Sequence, residues 1–308
     1  MVYDVIVIGG GPAGLTAATA VTQQHLKCVL LAHSLGGQLN LALAINNWPA
    51  QEKISGKELS TQLVQQLKAT QIVDIKGKMQ VSRVRLMKQA SGLPTYEVIT
   101  DTSDKLRARA VILAMGARHK SLGLPGEERL TGKGVSYCAV CDATYFKNKV
   151  VAVLGGGIAA ESVTQDLSRI AKRLYILQFE KNKGQQPKNV EVLYGASPAA
   201  VLGQDHVTGL RYLEVKTNKL REIAIDGVFI EAGSNPNSEP VKDLVDTDGR
   251  GQVIVDHQTM ATSQLGIFAA GDITNSHYKQ VSLATADGIR AALSAVQYLG
   301  AIKETKEV

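Results

Sequence analysis

The chain has 308 residues, of which 44% are hydrophobic and 20% charged. At ~150 residues per domain this length suggests two domains, and the composition excludes a disordered chain. Lys and Arg exceed Asp and Glu by 34 − 28 = 6, but no basic stripe with interleaved aromatics accompanies the excess, so nucleic acid is not an expected partner. No apolar run approaches the ~18 residues of a membrane span; the strongest, Ala110–Ala117, is far shorter. Three cysteines are too few for a disulfide scaffold, and the six His are scattered without metal-ligand spacing. The N-terminus enters a strand-like run at Val2 with no basic region or cleavage site. A cytoplasmic enzyme with no metal and no membrane attachment is expected.

In chain order, Tyr3–Ile8 is an apolar, largely β-branched run leading into Gly9-Gly10-Gly11-Pro12-Ala13-Gly14, an Ala-rich helical stretch and a second strand at Cys28–Ala32. Ala110–Met115 reads as a buried strand, ended by Gly116 and the Pro/Gly-containing connection Leu122–Gly126. Val150–Leu154 then repeats the opening pattern. It leads into Gly155-Gly156-Gly157-Ile158-Ala159-Ala160, a helix, a strand at Leu174–Gln178 and another β-like run at Val190–Tyr194. Late in the chain, Gly266–Ala270 runs into Gly271-Asp272, followed by a helix from about Ser282 to Tyr298 and a polar tail at Lys303–Val308. Two mononucleotide-binding units about one domain apart predict an α/β, three-layer architecture of two Rossmann-like domains with parallel sheets. The second is inserted in the first: residues 1–116 and 242–308 form one domain, residues 117–241 the other.

Gly9-x-Gly11-x-x-Gly14 follows a strand and opens a helix, the context that dinucleotide binding needs. The first Gly makes the turn, the second admits a pyrophosphate against the backbone, and the third lets helix pack on strand. The helix N-terminus adds N–H donors and partial positive charge. No acidic ribose ligand follows the second strand, which ends Leu31-Ala32-His33. Cys138-Ala139-Val140-Cys141-Asp142 is the chemical centre. In an intracellular α/β chain a Cys-x-x-Cys reads as a dithiol/disulfide couple. Zinc would need a second pair, and Cys28 lies in a strand and reads as a buried core thiol. Asp142 beside the pair is placed to act as general acid for a departing thiolate, provided burial keeps it protonated; the alternative is a plain helix-capping carboxylate.

Gly9–Gly14, Gly36-Gly37-Gln38-Leu39, Asn47-Trp48-Pro49, Ala114–Ala117, Leu124-Pro125-Gly126-Glu127 and Gly134-Val135-Ser136-Tyr137-Cys138 together resemble the low-molecular-weight thioredoxin reductases. So do Cys141-Asp142, Gly155–Ala160, Phe268-Ala269-Ala270-Gly271-Asp272 and Tyr278-Lys279-Gln280. The resemblance is collinear over essentially the whole chain. It implies FAD in the first domain, cradled by Gly9, Gly11, Pro12, Ala13 and Gly14. Gly36, Gly37, Gln38, Leu39, Asn47, Ala114, Gly116, Gly271, Asp272, Gln280 and Val281 would lie along the rest of the cofactor. It implies a redox-active disulfide in the inserted, NAD(P)-like domain, with Cys141 as the flavin-facing thiol, Cys138 as the thiol that attacks the partner's disulfide, and Asp142 as the acid. Thioredoxin or another protein disulfide is the implied partner, and a homodimer the implied assembly.

One departure matters for the electron donor. NADPH-dependent members end the second nucleotide strand with arginines for the 2′-phosphate, whereas the aligned residues here are Gln178-Phe179-Glu180. At an effective dielectric of about 20, two like unit charges ~4 Å apart cost about 4 kcal/mol, before the lost arginine contacts are counted. Lys181 and Lys183 lack the bidentate fork and read as a solvated loop. The stretch from Glu180 to Val190 is also too short for the helix the family carries there. Yet Gly155, Gly157, Ile158 and Ala160 keep the second nucleotide motif. Phe179 and Glu180 close the second strand, where an acid binds an unphosphorylated ribose. NADPH is therefore not the expected donor. The chain resembles the NADPH-independent branches: a ferredoxin-dependent flavin thioredoxin reductase, or a diflavin-linked disulfide oxidoreductase with a second FAD. A basic chain suits an acidic ferredoxin. NADH at the second site, an NAD(P)H-dependent reductase, a dithiol oxidase and a redox-sensing flavoprotein are the alternatives.

Overall fold

The computed structural model describes residues 2–42, 44–87, 94–178 and 187–304; the side chains of residues 140, 141, 157–159, 303 and 304 lie outside that description. Phe179 and Glu180, Lys181 and Lys183, and the end of the polar tail therefore also lie outside it. The chain divides into two compact units, residues 1–40, 57–118 and 235–308 in one and residues 41–56 and 119–234 in the other.

The first unit is built on β1 (Val2–Ile8), apolar and fully buried from Val5 onward. Continuous apolar runs suit strands covered on both faces. β1 lies parallel to β2 (Cys28–Ala32), which is buried throughout, and the crossover is α1 (Pro12–Gln23), whose Pro12 pre-sets the first helical φ. α2 (Gly56–Ala69) leads to β3 (Val73–Gly77), parallel to β2. β4 (Val81–Met87) and β5 (Thr95–Thr100) form an antiparallel pair, and β4 buries Val81 and Val84, which stand three residues apart because the register shifts between Val81 and Arg83. β6 (Lys105–Leu113) then runs parallel to β1, giving the order β3-β2-β1-β6-β5-β4. β7 (Ala117–His119) leaves the sheet.

In the second unit, α3 (Glu127–Leu130), β8 (Val135–Ser136) and α4 (Ala139–Asp142) precede β9 (Val150–Gly155). α5 (Gly157–Ser168) crosses to β10 (Arg173–Gln178) and β11 (Val190–Tyr194). β12 (Ala196–Leu202), β13 (Gly209–Glu214) and β14 (Lys219–Ala224) make a separate antiparallel sheet before β15 (Gly227–Glu231) returns beside β9. The parallel sheet has the order β11-β10-β9-β15-β8. Its two faces are packed by separate apolar clusters, one around Leu154, Val228 and Leu210, the other around Phe146, Phe229 and Leu174. β16 (Ser234–Pro236) pairs with β7, and β17 (Ile267–Ala269) joins the first sheet alongside residues 111–113 of β6. β6 thus shares one edge between β5 and β17. α6 (Val281–Glu304) closes the chain against α1: Thr16 Oγ1 donates to Thr285 O at 3.1 Å, and Gly288 leaves room for the Ala13 carbonyl.

Two features differ from the sequence expectation. α6 runs on to Glu304 rather than stopping near Tyr298, because Leu299 is buried and Gly300 falls where nothing lies within 4 Å. Residues 41–56 belong with the second unit rather than the first. They close on themselves through an Ile45–Ile54 antiparallel bridge and a hydrogen bond from Gly56 N to Ala42 O at 3.0 Å, with Ile45 and Ile54 buried. Asn46 Nδ2 donates to Thr144 Oγ1 in the same unit.

Candidate functional site: two glycine turns and a disulfide

The C-terminal ends of β1, β2, β6 and β17 are tied together. Gly9 N donates to Leu31 O at 2.8 Å, Ala114 N to Ile8 O at 2.8 Å, and Ala270 N to Leu113 O at 2.9 Å. At this point the three motif glycines have different reasons to be glycine. Gly9 has φ +115°, and a Cβ there would lie 2.1 Å from Ala114 O; a Cβ on Gly14 would lie 1.8 Å from Gly9 O. Packing alone demands both. Gly11 has an ordinary φ of −76°, caps α1 without any side-chain bond, and would meet nothing within 4 Å if it carried a Cβ. Neither strain nor protein packing requires Gly11, and the open space in front of an uncapped helix N-terminus is the cradle a pyrophosphate needs.

Other expected residues gather around this turn. Gly36 N donates to Gly10 O at 2.7 Å, and the site of a Cβ on Gly37 is 3.3 Å from Gly11 Cα. Gly37–Leu41 forms a tight turn in which Leu39 is buried and Gln38 Nε2 donates to Ala117 O. Gly116 has φ +63° with open space beside it. Gly271 sits over the start of α1, where a Cβ would be 3.0 Å from Ala13 Cβ. Burial pushes the Asp272 carboxyl above the usual range, with Lys279 opposing and Asp287 reinforcing the shift. Lys279 Nζ donates to Asp272 O at 3.2 Å and Thr274 O at 2.6 Å. Gln280 and Val281 open α6, with Ala284 N donating to Gln280 O. Asn47 lies in the loop that groups with the second unit.

The second unit repeats the turn. Gly155 has φ +146°, and a Cβ there would lie 2.4 Å from Glu231 O, the counterpart of Gly9 against Ala114. Gly156 caps α5 with nothing within 4 Å of its Cβ position, and Ala160 is buried where Gly14 stands in the first unit. The side chains at Gly157 and Ile158 lie outside the described residues. Glu231 was not legible as a site residue, since it is a lone acid at the end of an apolar run. Burial pushes its carboxyl up to about 7.

Cys138 is disulfide-bonded, whereas Cys28 is a free thiol whose burial pushes its pKa up to about 12. Cys138 lies between β8 and α4, and Asp142 N donates to Cys138 O at 3.1 Å. The Asp142 side chain, only 5% exposed, accepts a 2.7 Å hydrogen bond from Ser136 Oγ. It makes no side-chain capping bond to the short turn that follows. Ahead of the disulfide, Tyr137 stacks on His119 with ring centroids 5.2 Å apart and donates its hydroxyl to Glu127 at 2.6 Å. Glu127 is buried and also accepts Leu122 N at 3.0 Å and Leu124 N at 2.9 Å. Burial raises its pKa, but the hydrogen bonds from Tyr137, Leu124, Ser121 and Leu122 together hold it below the usual range. Burial, then the bond to Glu127, pushes Tyr137 up to about 12, and burial lowers His119.

Among the described residues no group of three or more His, Cys, Asp or Glu could hold a metal ion, and no helix is long and apolar enough to cross a membrane. A family model described as pyridine nucleotide-disulphide oxidoreductase matches residues 3–288. The chain is similar to the F component of alkyl hydroperoxide reductase of Pseudomonas putida, 36% identical over 307 residues covering 96% of this chain and 58% of that protein. It therefore spans well under two thirds of that relative's length. Among solved structures, it is similar to thioredoxin reductase from Streptococcus pyogenes, with TM-score 0.89, 32% identity and coverage of 97% of this chain and 99% of that one. It is also similar to a ferredoxin-flavin thioredoxin reductase from Clostridium acetobutylicum, with TM-score 0.55, 34% identity and coverage of 98% and 99%. The α/β fold with its parallel sheets agrees with these likenesses. The chain belongs to the pyridine nucleotide-disulphide oxidoreductase family.

Proposed function

We propose that the enzyme passes electrons from FAD to a Cys138/Cys141 disulfide and on to a protein disulfide such as that of a thioredoxin, with ferredoxin rather than NADPH as the donor. The observation that carries the reading is the disulfide at Cys138 with the buried Asp142 one helical turn on, in a chain whose Gly11 leaves a phosphate cradle open. FAD, when bound, supplies a carrier that is filled by single electrons and emptied in pairs. The chain's own part is to hold it: Gly9, Gly11, Pro12, Ala13 and Gly14 around the pyrophosphate, with Gly36, Gly37, Gln38, Leu39, Ala114, Gly116, Gly271, Asp272, Gln280 and Val281 beyond. Cys138 is the thiol that attacks the partner's disulfide, Cys141 the thiol turned toward the flavin, and Asp142 the proton source for the leaving sulfur.

Two features support a donor other than NADPH. Phe179 and Glu180 stand where the family's phosphate-binding arginines belong. The half-buried Glu231 beside the Gly155 turn supplies no positive charge for a phosphate held there. The chain's net charge of +6 suits an acidic carrier, and the likeness to a ferredoxin-flavin enzyme points the same way. A second reading rests on the repeated Gly155 turn, which favours a nucleotide without a 2′-phosphate: a second FAD, or NADH. For the homodimer that the family resemblance implies, Leu283, Ile289 and Leu293 on α6 provide exposed apolar surface. The deciding experiment offers NADPH, NADH and reduced ferredoxin separately under anaerobic conditions and follows bleaching of the flavin's visible absorbance. Rapid bleaching by ferredoxin alone is expected; fast, saturable reduction by micromolar NADPH overturns the donor assignment.

A further inference from the structure

We propose that Ser136 is a positioning residue for the exchange step, holding the Asp142 carboxyl against the Cys138 turn and stabilising it when it has given up its proton. This rests on the reading of Asp142 as the acid.

Ser136 lies on β8, whose register is set by pairing with Phe229 of β15, and it is 3% exposed. A buried carboxyl needs hydrogen-bond partners to be tolerated in its charged form. Ser136 Oγ stands 2.7 Å from Asp142 Oδ2 and 3.3 Å from Cys138 O, while Cys138 N donates to it at 3.1 Å. A serine hydroxyl has one hydrogen to give and lone pairs to receive. The shorter contact takes the hydrogen, so the arrangement runs from Cys138 N–H into the Ser136 oxygen, and from the Ser136 hydrogen to Asp142. Asp142 N returns to Cys138 O at 3.1 Å. The acid and the residue bearing the attacking sulfur are thus joined by two routes, one through backbone alone and one through a single side chain.

The exchange step shows what that side chain does. The Cys138 thiolate attacks one sulfur of the partner's disulfide, the Cys138–partner S–S bond forms and the partner's own S–S bond breaks. The second partner sulfur leaves with the electron pair and takes the proton from the Asp142 carboxyl. Asp142 is left as a carboxylate, and a hydrogen bond to a charged acceptor is stronger than one to a neutral acceptor. Ser136 therefore favours the state in which the proton has been delivered. Its removal slows reactions whose leaving sulfur needs a proton and spares those whose leaving thiolate is stable without one.

The test uses the full-length, FAD-loaded enzyme, reduced with stoichiometric dithionite and mixed with disulfide in single turnover, so that the donor plays no part. Two substrates are compared: thioredoxin disulfide, and dithiobis(nitrobenzoate), whose aromatic thiolate leaves unprotonated. Ser136→Ala is expected to lower the limiting rate with thioredoxin about 10-fold, leave the half-saturating concentration unchanged, and keep the rate with dithiobis(nitrobenzoate). Ser136→Thr, which keeps the hydroxyl, is expected to restore the thioredoxin rate and remains informative if the alanine variant folds poorly. In an Asp142→Asn background, Ser136→Ala should add no further loss. If Ser136→Ala slows both substrates equally, or if Thr is as slow as Ala, Ser136 is only structural and the proposal fails. If Asp142→Asn is slow while Ser136→Ala is not, the proposal fails but the acid stands. Full speed in Asp142→Asn removes the acid assignment itself.

Discussion

Gly155 and Glu231 stand opposite one another at the ends of β9 and β15, and a Cβ on Gly155 would lie 2.4 Å from the Glu231 carbonyl oxygen. The first unit has the same relationship between Gly9 and Ala114, so a carboxyl replaces a methyl at one point of a repeated turn. Burial pushes that carboxyl from 4.5 up to about 7. The folded chain therefore binds the proton more tightly than the unfolded chain, and the stability linked to it is intact below about pH 4.5 and lost as pH rises through about 7. Glu231→Gln is neutral at every pH and should flatten this slope. Allowing for solvent screening at a partly exposed group, the variant should be more stable than the parent by about 1–2 kcal/mol at pH 8 and no different at pH 4.5. Calorimetric melting across this range checks it.

Gly11→Val should abolish FAD binding while leaving the fold intact. The position has an ordinary φ and open space, so the protein tolerates the side chain and only a bound pyrophosphate would collide with it. A colourless protein with an unchanged circular dichroism spectrum and melting temperature close to that of the parent apoprotein is the expected result. Gly14→Ala should instead destabilise, because its Cβ would lie 1.8 Å from Gly9 O.

Cys138→Ser and Cys141→Ser should differ. With Cys138 replaced, Cys141 can still interact with the flavin, which is expected to show as a long-wavelength absorbance band, but turnover with thioredoxin stops. With Cys141 replaced, that band is absent. Visible spectra of the two variants at equal flavin content decide the matter, and identical behaviour contradicts the roles assigned to the two thiols.

Glu127→Ala should cost about 2 kcal/mol of stability, since it removes the buried carboxylate that accepts from Leu122 N, Leu124 N and the part-buried Tyr137 hydroxyl. Tyr137→Phe removes only one of these bonds and should cost roughly 1 kcal/mol. Denaturant titration of both variants gives the comparison.

The ratio of flavin to protein in the purified enzyme separates the readings of the Gly155 turn. One flavin per chain is expected if ferredoxin is the donor and the second turn holds no tightly bound cofactor. Two flavins per chain would favour the diflavin reading. Quantitation of released FAD against total protein supplies the number.

Local pattern sufficed for much of this molecule. The apolar runs at Val5–Ile8, Cys28–Ala32 and Leu174–Gln178 state strand through residues a few positions apart, as Gly9-x-Gly11-x-x-Gly14 and Cys138-x-x-Cys141-Asp142 state their motifs. Such motifs are short because their chemistry is short: a turn, a helix N-terminus, a pair of thiols within one helical turn. Other features exist only once sheet register and packing are set. Glu231 meets Gly155 because β15 returns beside β9 after the whole antiparallel sheet has intervened, and no periodicity announces that neighbour. The loop 41–56 groups with Thr144 through Asn46, a residue the motif did not mark. Ser136 is an ordinary residue in sequence, and its hydroxyl meets Asp142 only because the chain turns from β8 into α4 and brings the carboxyl back to it. Hydrogen bonds between distant residues depend on angles and distances that backbone propensity does not encode, so the sequence determined which groups were available and the tertiary structure decided which of them met.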